Sequence, residues 1–421
     1  MRLLHTSDWH LGQHFMGQTR QAEHAALIDW LLAQVDIHTV DAVLIAGDVF
    51  DTGAPPSYAR GLYNQLIGRL CRAGVALLVL GGNHDSVSVL GEHQPLLAQL
   101  NAHVVAAVDA DAAQHVLTLP QRGDTATPGC IVCALPFIRA RDVVQSDAGQ
   151  SAADKQLALQ NAIQSTYARV FAAAQALQAD HLAQTGQRLP IVATGHLTTV
   201  GASRSESVRE IYVGALEAFP TSAFPPADYI ALGHIHQPQK VGGLQHVRYS
   251  GSPIALSFDE ARQAKQVLLV DLGAQGVQCI EALPVPAFQP LAAISGSLTT
   301  LPAALQSAAA PGTAERPVWL EVTVQEDDYL PDLAARVDAL TEALPVHVLR
   351  VRRQRGAAAP QLAGEGGESL HELSPHDVFA LRLAQETLTP ELHSALATRY
   401  HQVLADLTSG EASGATDGAA A

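Results

Sequence analysis

The sequence predicts an α/β protein in which two stacked sheets are flanked by helices, and three observations carry that prediction. Short apolar runs such as Val43-Leu44-Ile45-Ala46 end abruptly in a glycine and a polar donor, Gly47-Asp48. A buried strand that delivers a side chain to its sheet's carboxyl edge has this pattern. Such runs alternate with amphipathic helical segments as far as about Pro284. Their connections mix crossover and hairpin types, which suits two layered sheets better than one.

In chain order, Leu3-Leu4-His5-Thr6 is a strand leading into Ser7-Asp8-Trp9-His10. A helix from Ala22 to His38 carries Ala25, Ile28, Leu31, Leu32 and Val35 on one stripe. Val43–Ala46 ends at Gly47-Asp48-Val49-Phe50-Asp51, where glycine lets the backbone turn sharply beside Asp48. Pro56 opens a helix running to Ala73. Ala76–Leu80 leads into Gly81-Gly82-Asn83-His84-Asp85, and Pro95–Leu100 is a short helix. His103–Val105, His115–Leu119 and Cys130–Leu135 read as strands, and Ala152 to Asp180 as a long Ala/Gln-rich helix. Strands Pro190–Thr194 and Tyr229–Leu232 end in Gly195-His196 and Gly233-His234-Ile235-His236. His246–Tyr249, Gln266–Val270 and Val277–Ile280 complete the sheets, so residues 1–284 read as one domain.

Past Pro284-Val285-Pro286 the texture changes. Residues 285–355 hold a strand (Trp319–Val324), a helix (Pro331–Leu344) and a strand (Val346–Val351), a small α/β unit without the earlier donor types. Residues 356–373 are a Gly/Ala linker. Residues 374–408 read as two helices opened by Ser374-Pro375 and Thr389-Pro390. The second carries an apolar stripe of Leu392, Leu396, Tyr400, Val403 and Leu407. Residues 409–421 form a Gly/Ala/Ser tail expected to be disordered.

A chain of 421 residues exceeds one ordinary core. Its net charge of −16 excludes binding a polyanion by bulk electrostatics, so positive charge has to be local. Met1-Arg2-Leu3-Leu4-His5 is too short an apolar stretch for a signal peptide, and no run is long enough to cross a bilayer. Cys130 and Cys133 have CxxC spacing inside a strand, where they face opposite sides, and no second pair completes a zinc site. Four reduced cysteines point to the cytoplasm. There is no GxxxxGK[ST] loop, so any ATP requirement would belong to a partner.

The donors that follow strand ends are Asp8, His10, Asp48, Asn83, His196, His234 and His236. This set suits two divalent metal ions sharing one carboxylate. Asp8/His10 and His234/His236 are spaced i, i+2, so in extended backbone each pair points to one side. Without a thiolate the set favours Mn²⁺ and also suits Mg²⁺, Fe or Zn. Two dications against two carboxylates leave local positive charge, which the neutral amide of Asn83 preserves. Among 19 histidines, His5, His14, His24 and His38 read as packing or surface residues, and Asp51 as a helix or turn cap.

Asp8-x-His10, Gly47-Asp48-x-x-Asp51, Gly82-Asn83-His84-Asp85, Gly195-His196 and Gly233-His234-x-His236 together resemble the calcineurin-type metallophosphoesterase signature. The longer strings SDWHLG, AGDVFDTGAPP, GNHDS, ATGHLTTVGAS and ALGHIHQP more specifically resemble the SbcD family of bacterial nuclease subunits. The resemblance implies a four-layer αββα sandwich with a small α/β capping domain and C-terminal helices. It implies that Asp8, His10, Asp48 and His236 hold one metal, and that Asp48, Asn83, His196 and His234 hold the other. His84 then faces the scissile phosphate as donor to the transition state or to the leaving 3′-oxygen, and Asp85 orients its ring or caps the loop. Archaeal relatives carry a histidine where this chain has Asp51, so that histidine's role in choosing exonuclease over endonuclease does not carry over.

By the same resemblance the substrates are double-stranded and hairpin DNA, cut by a 3′–5′ exonuclease and an endonuclease in recombination, replication and repair. The partner is an SbcC-type ABC ATPase with a long coiled coil, docked on the C-terminal helices. The assembly is a homodimer of this chain within a heterotetramer. Arg350, Arg352, Arg353 and Arg355 form the densest basic cluster and are candidate DNA contacts, as are Arg139, Arg141, Arg204 and Arg209. Two rival readings are a phosphatase or cyclic-nucleotide diesterase acting on small esters, and a non-catalytic DNA-end scaffold. The cap and terminal helices argue against the first, and the complete donor set against the second.

Overall fold

A computed structural model describes residues 1–144, 151–203, 205, 207–208, 218–325 and 332–354, with 379, 383, 392, 395–396 and 398–400. Apolar runs become the inner strands of two six-stranded sheets. In the first, Arg2–Thr6, Ala42–Ile45, Ala76–Leu80 and Ala102–Val105 are parallel neighbours, and the hairpin Gln266–Gly273/Gly276–Pro284 is added antiparallel beside Arg2–Thr6. In the second, Leu244–Tyr249, Tyr229–Gly233, Ile191–His196 and Asp124–Cys133 are parallel, with Gln239–Val241 and Val116–Gln121 antiparallel at its edges.

Strand alternation builds four layers. Leu3, Leu44, Leu78 and Leu80 meet Cys130, Val132, Val192 and Ala231 between the sheets. Their neighbours Leu4, Val43, Ile45, Leu77 and Val79 pack outward among residues of the helices Gln21–Ile37 and Ser57–Arg72. On the other side Ile131, Cys133, Ile191, Ala193 and Ile230 meet Leu159, Ile163, Tyr167 and Val170 of the helix Ala152–Thr185. That helix starts in a Ser151/Asp154 capping box and ends at Gly186 in the left-handed region. Each buried apolar side chain contributes roughly 1.5–3 kcal/mol, so a one-residue slip that exchanged the faces is strongly disfavoured. Cys130 and Cys133 lie in different cores, as alternation requires.

A third sheet, in the order Leu291–Gly296, Val318–Gln325, Val346–Gln354, carries the helices Leu301–Ala309 and Leu333–Thr341. Leu320, Val322 and Val324 enter its own core with Leu301, Leu305 and Val337. Trp319, on the opposite face, stacks on Phe15 with centroids 5.7 Å apart and joins Phe258. Residues 1–324 and 332–353 accordingly form one compact unit, and the texture change at Pro284 is no break in packing.

Beyond Gln354 the described residues show the Phe379 and Tyr400 rings stacked 3.9 Å apart, with Leu392 and Leu396 exposed. Arg204, Arg209, Arg355, Val403, Leu407, the 356–373 linker and the 409–421 tail lie outside the described residues. Among those described, no helix is long and apolar enough to cross a membrane.

Candidate metal centre

The loops at the carboxyl ends of Arg2–Thr6, Ala42–Ile45, Ala76–Leu80, Ile191–His196 and Tyr229–Gly233 meet at one place. Donor atoms of Asp8, His10 and His236 lie within 4.8 Å of one another, and so do those of Asp48, His196 and His234. Asn83 Oδ1 is 2.9 Å from His196 Nε2 and 3.2 Å from His234 Nδ1, which places it with the second cluster. Asp48 lies between the two, its Oδ2 at 3.3 Å from His196 Nε2 and 3.6 Å from His10 Nε2. All seven strand-end donors predicted from the sequence are therefore brought together.

The backbone at this place is unusual. Asp8, His10, Asp48 and His234 have φ of 56°, 47°, 51° and 91°, a region that costs side-chain-bearing residues about 1–3 kcal/mol each. Cross-loop hydrogen bonds hold it: Asp8 N–H to Gly47 O at 3.0 Å, Trp9 N–H to Asp48 O at 2.9 Å, and His234 N–H to Asp8 Oδ1 at 2.9 Å. Gly47 and Gly82 allow the close approach, since a methyl group on either would overlap His196 or the Asp48 carboxylate.

Three imidazoles have their outer nitrogen fixed. Nδ1–H of His196 donates to Ala46 O at 2.9 Å, that of His10 to Asp51 Oδ1 at 3.1 Å, and that of His236 to Glu260 Oε1 at 3.1 Å. Each ring is thereby turned so that Nε2 is the inward atom, the arrangement metal-bound histidines adopt. His10 Nε2 is buried with no hydrogen-bond partner, and the donor set is oxygen and imidazole throughout. These features fit a pair of divalent ions.

The electrostatics agree with a charge-dense site. Burial alone would raise the Asp48 carboxyl, but the His196 ring, with His10 and His84, holds it well below the usual carboxylate range. The His196 imidazolium, opposed by burial, is raised to about 9 by Asp48. Burial and the positive charge on His196 push His234 well down.

Asp51 departs from the sequence expectation, while Asp85, Arg350 and Arg352 have definite partners. Asp51 is no turn cap: its carboxylate holds His10, and its carbonyl accepts Nδ1–H of His84 at 2.8 Å. Asp85 caps loops, its carboxylate accepting N–H groups of Gly82, Val49 and Phe50 at 2.8, 3.1 and 2.9 Å, while the Nδ1 edge of His84 rests on Asp51. Burial, with Asp48 nearby, raises the Asp85 carboxyl to about 6. Arg350 and Arg352 both pair with Glu321 on the neighbouring strand, so neither is an unpaired basic edge.

Arg350 also lines a cleft of about 280 Å³ with His10, Asp51, His84, His236 and Phe258. His84 makes a further cluster with His10 and Asp48, and its N–H donates to Asp48 Oδ1 at 2.9 Å. Arg139 donates to the Asp85 carbonyl at 3.2 Å, and Arg141 pairs with Asp142. Sequence reasoning missed Glu260 and Lys265, a fully buried acid and its amine partner at 2.6 Å. Their only signal is an Asp-Glu pair in a turn, with lysine five residues on.

Residues 1–238 match a family described as calcineurin-like phosphoesterase, and residues 287–387 one described as type 5 capsule protein repressor C-terminal domain. The chain is 50% identical over 388 residues to the SbcD subunit of nuclease SbcCD from Escherichia coli (strain K12), covering 92% of this chain and 94% of that one. The corresponding protein of Rhodobacter capsulatus is 34% identical over 401 residues, covering 90% and 94%. That of Bacillus subtilis is 32% identical over 275 residues, covering 64% and 66%.

Proposed function

We infer the reaction from the premise that this chain belongs to the SbcD family of calcineurin-like phosphoesterases, and so is a metal-dependent nuclease subunit that hydrolyses phosphodiester bonds. Asp8, His10, Asp48 and His236 would hold one ion, and Asp48, Asn83, His196 and His234 the other. Bound there, a divalent pair, which we assign as Mn²⁺, supplies Lewis-acid charge against the phosphate and lowers the pKa of the attacking water. The observation that carries this reading is the common inward turn of His10, His196 and His236, with the Asp48 carboxylate between the first two.

The chain's own groups do the rest. The His84 N–H holds the Asp48 carboxylate in place. The His84 ring is oriented by the Asp51 carbonyl and lines the cleft, where as imidazolium it donates a proton to the leaving 3′-oxygen. Asp85 ties the 47–51 and 82–85 loops together and positions both.

The substrate is DNA, as a 3′–5′ exonuclease on duplex ends and an endonuclease at hairpins. The partner is an SbcC-type ABC ATPase, and the working assembly a homodimer within a heterotetramer. The buried thiols Cys130 and Cys133 suit the cytoplasm. The test is cleavage of a hairpin oligonucleotide against bis-p-nitrophenyl phosphate, in Mn²⁺ or Mg²⁺, with and without the ATPase. Manganese-dependent hairpin cleavage that gains exonuclease activity with ATP and partner supports the reading. Hydrolysis of the small ester alone would replace it with a phosphatase.

A further inference from the structure

We propose that Glu260, neutralised by Lys265, is a positioning residue that fixes the ring of His236 and thereby sets the affinity of one of the two metal sites. The inference rests on the two-metal reading above. Glu260 is 0% exposed and sits in a single turn, Phe258–Glu260, between the last strand of the second sheet and Gln266–Gly273 of the first. Its Oε1 accepts from Ser205 Oγ at 2.7 Å, from Ser207 Oγ and from His236 Nδ1 at 3.1 Å. Its Oε2 accepts from Lys265 Nζ at 2.6 Å, Leu256 N–H at 3.0 Å and Ser252 Oγ at 3.3 Å.

A bare ion pair serving only to staple a loop would not require this pattern. His236 is gripped at both ends: its ring by Glu260 and Ser207 Oγ (2.6 Å from Nδ1), its carbonyl by Lys265 Nζ at 3.2 Å. A carboxylate facing Nδ1 keeps the proton there, so Nε2 is left as the lone pair beside Asp8 and His10. Lys265, 2.6 Å away, supplies the counter-charge that a fully buried carboxylate needs. Ser207 also lines the cleft, so the same acid ties the ligand to the cleft wall.

The experiment is Mn²⁺ titration of the metal-free full chain, read by the electron paramagnetic resonance of free Mn²⁺, beside thermal melts. The wild type should take up two ions, and a chain taking up none would sink the two-metal reading before any variant is compared. Glu260→Gln should weaken one ion by roughly 10–100-fold while the other stays within about threefold. Glu260→Asp, which keeps the charge, should recover part of the loss. Because Glu260→Gln leaves the Lys265 ammonium buried without its counter-charge, Glu260→Gln/Lys265→Met is made as well. That pair removes the stranded charge, and it should fold and still show the single weakened site. Two wild-type affinities in the folded double variant, or equal weakening of both ions, would overturn the proposal.

Discussion

The carbonyl of Asp51 accepts Nδ1–H of His84 at 2.8 Å, while the carboxylate of the same residue accepts Nδ1–H of His10 at 3.1 Å. One residue thus orients both a candidate ligand and the candidate proton donor, through different atoms. Asp51→Ala removes the carboxylate and spares the carbonyl. It should weaken Mn²⁺ binding about 10-fold or more, with cleavage at saturating Mn²⁺ recovering most of its rate. A variant that binds Mn²⁺ normally but stays slow would place the carboxylate in the chemistry instead.

His84→Gln should retain two Mn²⁺ ions and lose about 10²–10⁴-fold in cleavage rate. Single-turnover rates and metal stoichiometry measured on one preparation decide it. Loss of an ion would make His84 a ligand, as its place beside His10 and Asp48 also allows.

Asp48→Ala should empty both sites, since its carboxylate lies between the two donor clusters. Gly82→Ala acts on the same group from outside, because the added methyl overlaps the Asp48 carboxylate. Titration of either variant should show neither ion at micromolar concentration; one ion retained at wild-type affinity in Asp48→Ala would contradict bridging.

Acid should destabilise the fold through buried histidines outside the donor set. Burial lowers His5 and His24 to about 3, and neither ring nitrogen of His24 has a hydrogen-bond partner. The unfolded chain takes up these protons near pH 6.5 and the native chain does not, so stability present above 6.5 is lost as pH falls towards 3. At pH 5.5 each contributes a loss of about 1.4 kcal/mol. His24→Leu should remove one such increment, seen in urea melts at pH 7.5 and 5.5 in EDTA. An unchanged pH slope would mean that the ring is not held neutral.

How much was legible depended on range in sequence. Asp48 and His196 could be read because each closes its own strand: apolar run, glycine, donor. The alternation that sorts Leu3 from Leu4, and Cys130 from Cys133, is equally local. Asp51 was misjudged, and Asp85 was left between two roles, because a carboxylate in a loop is locally indistinguishable from a cap until its partner is known. For Asp51 the partner is His10, 41 residues away, and for Asp85 the N–H groups of Val49 and Phe50, 36 and 35 away.

By itself, then, the sequence determined which residues end the strands and carry donor atoms, since period and chain punctuation are properties of neighbouring residues. Only the tertiary structure decided how those donors are aimed. Glu260 reaches His236 across 24 residues, Ala46 reaches His196 across 150, and Glu321 meets Arg350 across a sheet. Hydrogen bonds have short range and strict direction, so their pairing exists only once packing has brought distant segments within about 3 Å.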